Sequence, residues 1–128
     1  MKQYVNSIPG LPRTSSPYSS GVIAEGKFLF ISGQGPYDPK QEKFIRGSVA
    51  EQAKLTLECL RRVIEETGAS IEDVVSCRVF LQQLTEANFA ELNQAYREFF
   101  GANLPARTTI GCQLFNIDVE IDCVVKLS

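Results

Sequence analysis

Arg107 follows Pro105 and Ala106 at the start of an apolar run. A guanidinium there is an always-charged fork, suited to gripping a carboxylate through two hydrogen bonds. Glu120 sits in a strictly alternating segment with Asp118 and Asp122 two residues to either side. Carboxylates so spaced repel one another, which is more tolerable beside a cation or where proton transfer is wanted. Asn93 lies on or beside an apolar helical stripe, where a buried amide either caps backbone groups or faces a site. Tyr18, in the loop Ser16-Pro17-Tyr18-Ser19, can lid a pocket or plug a core. Ser32-Gly33-Gln34 ends an apolar run, its glycine permitting close backbone approach. Each residue also has a plainer role: a surface arginine, a solvated acidic face, an ordinary turn. Taken singly, none is specific.

What is missing narrows the chemistry further. The chain has no histidine, which removes the commonest general base, the commonest metal ligand and every Ser–His or Cys–His nucleophile. Its 128 residues suit one domain spanning 1–128. At 44% hydrophobic, 22% charged and net charge −2, the composition is that of an ordinary globular protein with no basic block for a phosphate backbone. No stretch approaches the ~20 apolar residues of a membrane span, and the N-terminal residues show no secretory or transit pattern, so the expected location is the cytoplasm. Cys59, Cys77, Cys112 and Cys123 form no CxxC pair and lie in apolar segments. They read as small buried hydrophobes in a reducing compartment rather than as disulfides or zinc ligands.

The elements that must position these residues follow from spacing. Residues 1 to about 20 read as an irregular lead-in. Two β-type runs flank Glu25-Gly26 and suggest a hairpin; a loop follows at Gly35–Pro39, with a short strand over 43–46. Ser48-Val-Ala-Glu51 has the spacing of a capping box. Ala53, Leu57, Leu60 and Ile64 then share a helical face that Gly68 terminates. A strand is predicted over 73–82. A helix from about Thr85 to Gly101 has Phe89, Leu92, Tyr96 and Phe99 on one face. A run from Arg107 to Leu114, a turn near Asn116 and a strand over 117–127 complete the chain. This order predicts an α+β sandwich: a mostly antiparallel sheet with two helices on one face.

Two helices leave the other face uncovered. Phe28 to Ile31 are apolar on both sides, and residues 74–81 place Val74 and Phe80 opposite Val75, Cys77, Val79 and Leu81. An exposed patch of that kind predicts self-association, with a chemical site at the subunit seam.

In order along the chain, Pro17-Tyr18-Ser19, Ile31-Ser32-Gly33-Gln34, Asn93 to Phe100, Pro105-Ala106-Arg107 and Val119-Glu120-Ile121 resemble the RidA/YjgF family, also described as L-PSP endoribonuclease-like. The resemblance implies a chorismate-mutase-like fold, a homotrimer with intersubunit clefts, and hydrolysis of 2-aminoacrylate or 2-iminobutanoate to the 2-keto acid and ammonia. It implies that Arg107 holds the substrate carboxylate, that Glu120 positions water and moves protons, and that Tyr18, Ser32, Gly33 and Asn93 line the cleft, with no metal or organic cofactor. The sequence departs from the family pattern at three places. Thr109 stands where many of its deaminases carry cysteine, offering the substrate a hydroxyl; Leu114-Phe115-Asn116-Ile117 replaces a Leu-Pro-x-Gly turn; and Ser16 replaces a glycine.

Two other functions compete with this one. An endoribonuclease is disfavoured by the net charge, the lack of histidine and the lack of an Arg/aromatic strip, so no nucleic-acid partner is expected. A non-catalytic metabolite-binding trimer would use Arg107 but have no need of Glu120.

Overall fold

The computed structural model describes residues 2–12 and 15–128. Its strands are β1 (Lys2–Val5), β2 (Gly21–Ala24), β3 (Lys27–Gln34), β4 (Tyr37–Asp38), β5 (Lys43–Phe44), β6 (Val74–Leu81), β7 (Ala106–Gly111) and β8 (Val119–Leu127). Helix α1 spans Val49–Glu66 and α2 spans Glu86–Phe100. The main sheet has the order β3-β8-β6-β7; β1 pairs with β2, and β4 with β5.

The capping box forms: Ser48 accepts from the Glu51 amide while the Glu51 carboxylate reaches back to the Ser48 amide. Gly68, at φ 84, follows the helix end in a conformation that favours glycine. Ala53, Leu57, Leu60 and Ile64 are buried. They pack with Val74, Cys77, Val79 and Leu81 of β6 and with Val119, Ile121, Cys123 and Val125 of β8. Thr85 caps α2 through the Asn88 amide, 3.1 Å away, and Leu92, Ala95, Tyr96 and Phe100 complete the core. Both helices thus lie on one face of an α+β layer pair, as the periodicity predicts.

Local pattern misleads where long-range pairing decides. Lys2–Val5 lies in the expected lead-in but forms a strand, because Gly21–Ala24 offers it an antiparallel edge. The Glu25-Gly26 hairpin does not form: β2 pairs with β1, while β3 pairs with β8 so that Leu29 and Ile31 lie opposite Val125 and Cys123 on the core side. The main sheet is mostly antiparallel, as expected, with one parallel pair, β6 and β7, for which α2 is the required crossover. Val74 is buried on the same side as Cys77, not opposite it, because the register shifts between Val74 and Ser76. Of the cysteines, Cys77 and Cys123 are buried, whereas Cys59 and Cys112 are only half-buried. Asn116 takes φ 59, in keeping with the turn expected there. The helix-free face carries Phe28, Phe30, Phe80 and Val124, and Phe30 is 75% exposed.

Candidate active site

Arg107 lies opposite Cys77 in the parallel β6–β7 pair, so its side chain points to the helix side of the sheet. Phe89, Asn93 and Tyr96 recur at positions i, i+4 and i+7 of α2 and therefore meet it from one helical face. Arg107 Nη1 donates to Asn93 Oδ1 at 2.8 Å. The guanidinium carbon stands 5.0 Å from the Tyr96 ring centroid, 5.5 Å from Phe89 and 5.7 Å from Tyr18. Tyr18 is brought there because the Ser19 amide donates to Pro105 O at 3.0 Å and Ser19 Oγ donates to Leu104 O at 2.6 Å, tying the loop to the edge of β7.

No acidic side chain pairs with Arg107 among the described residues. Burial lowers its pKa, but a guanidinium still stays charged at neutral pH. Burial, and then the neighbouring Cys77, raises the Tyr96 phenol well above its ordinary value. Among the described residues Thr109 Oγ1 is buried with no hydrogen-bond partner, a cost of about 1–3 kcal/mol for such a group, while the buried Tyr96 Oη has only the weakly bonding Cys77 thiol beside it. Thr109 follows Arg107 by two residues on β7 and shares its side of the sheet. Arg107, Asn93 and Tyr18 therefore gather at one place, a half-buried cation framed by rings, with Thr109 further along the same side of β7.

Glu120 lies elsewhere. It is opposite Phe80 in the β6–β8 pair and so points to the helix-free face. Its two acidic neighbours are already engaged. Asp122 takes Arg78 Nε at 3.0 Å and Nη2 at 2.6 Å. Asp118 accepts from Gln52 Nε2 at 2.7 Å and lies 3.6 Å from Arg46 Nη2. Glu120 itself makes no hydrogen bond or ion pair to a described residue. Gly33 lies against it where β3 shifts register between Ile31 and Gln34, a stretch that also contains Ser32. A Cβ at Gly33 would stand 2.3 Å from Glu120 Oε2, so only glycine leaves the carboxylate in this position.

Arg107 and Glu120 are therefore on opposite faces, with β6 between their strands, a lateral separation of roughly 10 Å at ~4.8 Å per strand. One chain does not bring them into a common cavity. A cavity of about 830 Å³ lies under the loop after β1 and touches Tyr18 and Arg97 but neither Arg107 nor Glu120. Sequence reasoning missed the contacts of Phe89 and Tyr96 with Arg107; their common helical face with Asn93 was the available signal. No group of three or more His, Cys, Asp or Glu residues is gathered for a metal ion among the described residues.

Two helices on one face of a mixed sheet, with an arginine on the edge strand, define the class: an α+β protein of the RidA fold. A Rid family protein from Yersinia pestis superposes with a TM-score of 0.87 at 25% identity, covering 98% of each chain. RidA from an Antarctic Psychrobacter gives 0.73 at 26% identity, with coverage of 98% and 100%. The Endoribonuclease L-PSP family pattern matches residues 10–127, and the chain belongs to this RidA/YjgF/L-PSP family. A RutC family protein of Pyrococcus abyssi is 38% identical over 111 residues, 87% of this chain and 85% of that protein. The mitochondrial protein MMF1 of Saccharomyces cerevisiae is 31% identical over 115 residues, 88% and 77% of the two chains.

Proposed function

We propose that this protein hydrolyses small 2-imino acids, the tautomers of 2-amino-2-alkenoates such as 2-aminoacrylate, to 2-keto acids and ammonia. The observation that carries this reading is the Arg107 guanidinium: half-buried, framed by Tyr18, Phe89 and Tyr96, and without an acidic partner among the described residues. Such a group is an anion site, and a carboxylate matches its fork. Asn93 holds one edge of the guanidinium and leaves further N–H groups for the substrate.

An imine carbon is already electrophilic, so water needs orientation and one proton carrier rather than a strong nucleophile. Glu120, with no hydrogen-bond or ion-pair partner among the described residues, takes a proton as water adds and passes it to the imine nitrogen, then takes the proton of the new hydroxyl and passes it to the same nitrogen as that departs. The C=N bond becomes C–N, then breaks; the water oxygen becomes the keto oxygen and ammonia leaves. Because Arg107 and Glu120 face opposite sides of one sheet, this reading requires Glu120 from a neighbouring chain. A homotrimer closing the Phe28/Phe30/Phe80 face supplies it, and Ser32, Gly33 and Thr109 line the seam. The four unbridged cysteines fit a reducing compartment, and we place the protein in the cytoplasm. No helix of the described residues is long and apolar enough to cross a membrane.

The test generates 2-aminoacrylate with a dehydratase and follows keto-acid release with and without the protein. Acceleration above the spontaneous rate is expected; an unchanged rate defeats the reading. RNA cleavage in a parallel assay would favour the endoribonuclease alternative.

A further inference from the structure

Gln52, the one amide side chain of α1, has no exposure at all, 0%, and with Thr56 it interrupts the apolar stripe that α1 buries. Its polar atoms are all spent on two loops. Nε2 donates to Gly47 O at 2.9 Å and to Asp118 Oδ2 at 2.7 Å, while Oε1 accepts from the Asp118 amide at 2.9 Å. Asp118 is pinned on its remaining sides: its carbonyl accepts from the Gln82 amide at 3.0 Å and its Oδ1 lies 3.6 Å from Arg46. Two residues further on is Glu120, whose own carboxylate has no such anchor.

We infer that Gln52 is a positioning residue for Glu120: from its buried site it clamps the half-buried Asp118 and so fixes the entry of β8. The inference rests on the deaminase reading for its kinetic consequence. The physical reason is leverage. A proton-transferring carboxylate must sit within a fraction of an ångström of its water, and a displacement of about 1 Å costs on the order of 10²-fold. Gly33 gives Glu120 space but no bond, so the carboxylate owes its place to the backbone of β8. The clamp is two-pronged, with an acceptor and a donor on one side chain. Leucine, of similar size, supplies neither.

Three variants test this. Gln52→Leu is expected to lower kcat by about tenfold to a hundredfold with KM within about twofold, because the Arg107 cluster belongs to α2 and β7 and is untouched. Asp118→Asn keeps an acceptor oxygen and the backbone amide while losing the charge, and should retain kcat within about threefold. Asp118→Ala, a surface change that spares the helix core, should fall between them even if Gln52→Leu folds poorly. Equal losses in Asp118→Asn and Asp118→Ala would overturn the clamp in favour of a charge effect. A folded Gln52→Leu with unchanged kcat would overturn it outright. Crystal structures of wild type and variant provide a readout independent of turnover: the 118–120 backbone should shift in Gln52→Leu, and an unmoved Glu120 contradicts the inference. Wild type without deaminase activity would defeat the proposed function, while the crystallographic shift would still decide the clamp.

Discussion

The two faces of the main sheet solve different problems. On the helix side, Arg107 is enclosed and oriented by Asn93 and by three aromatic rings. Its surroundings are built from α2, β7 and the Tyr18 loop, and a single chain supplies them all. On the helix-free side, Glu120 has Gly33 and Phe80 beside it and no hydrogen bond or ion pair to a described residue, and Phe30 at 75% exposure lies on the same face. On the proposed reading, one half of the chemistry is supplied within a monomer, and the other half waits on an uncovered surface. The proposed reaction would thus pre-set its charge inside a subunit and assemble at a seam the step that admits water and releases ammonia.

The largest expected effects separate those halves. Arg107→Ala should lower kcat/KM roughly 10³-fold, chiefly through KM, with Arg107→Lys recovering little because an ammonium lacks the fork. Glu120→Gln should lower kcat by about 10²–10³-fold with KM nearly unchanged. Steady-state kinetics on both variants checks the contrast, and matching KM increases in the two would erase it.

Gly33→Ala sharpens the comparison from the open side. The added methyl collides with the movable end of Glu120 rather than with backbone, so thermal stability should change by less than about 1 kcal/mol while kcat drops about tenfold. Thr109→Val probes the covered side. Removing a buried hydroxyl without a partner should be neutral or stabilising by about 1 kcal/mol in denaturant unfolding. If that hydroxyl meets the substrate, KM rises severalfold at the same time.

The smallest effect concerns pH. Burial raises the Tyr96 phenol, and a hydrogen bond with Cys77 together with burial raises the Cys123 thiol. Both groups hold their protons more tightly folded than unfolded. Their share of stability is complete below the ordinary thiol and phenol values of 9.0 and 10.0 and is lost as pH climbs past them. Tyr96→Phe should therefore carry the alkaline limb of the stability profile to higher pH, measured by denaturant titration from neutral pH upward.

What the sequence reveals follows the range of the interactions. Capped helices and the alternating β8 are legible because neighbours three, four or two residues apart decide them; Ser48, Glu51, Thr85 and Gly68 stand where capping demands. The partner of β1 is not legible, nor is the failure of the Glu25-Gly26 hairpin, because edges assembled from distant segments settle both. The candidate site divides in the same way. Arg107, Asn93 and Glu120 are visible as residue types in suggestive places, and the side each faces follows once the β6 register is known. That Asp118 and Asp122 are drawn off by Gln52, Arg46 and Arg78, leaving Glu120 without a partner among the described residues, depends on residues dozens of positions away. No strand pattern carries that information.

Mixing two crippled chains tests the two-chain site most directly. Arg107→Ala and Glu120→Gln proteins, each nearly inactive, are unfolded together in equal amounts and refolded. If Arg107 of one chain works with Glu120 of its neighbour, random assembly leaves roughly a quarter of the seams with both native side chains, and about that fraction of wild-type activity returns. If both residues act within one chain, no assembly can restore a complete site, and a mixture as inactive as its parents would contradict the account.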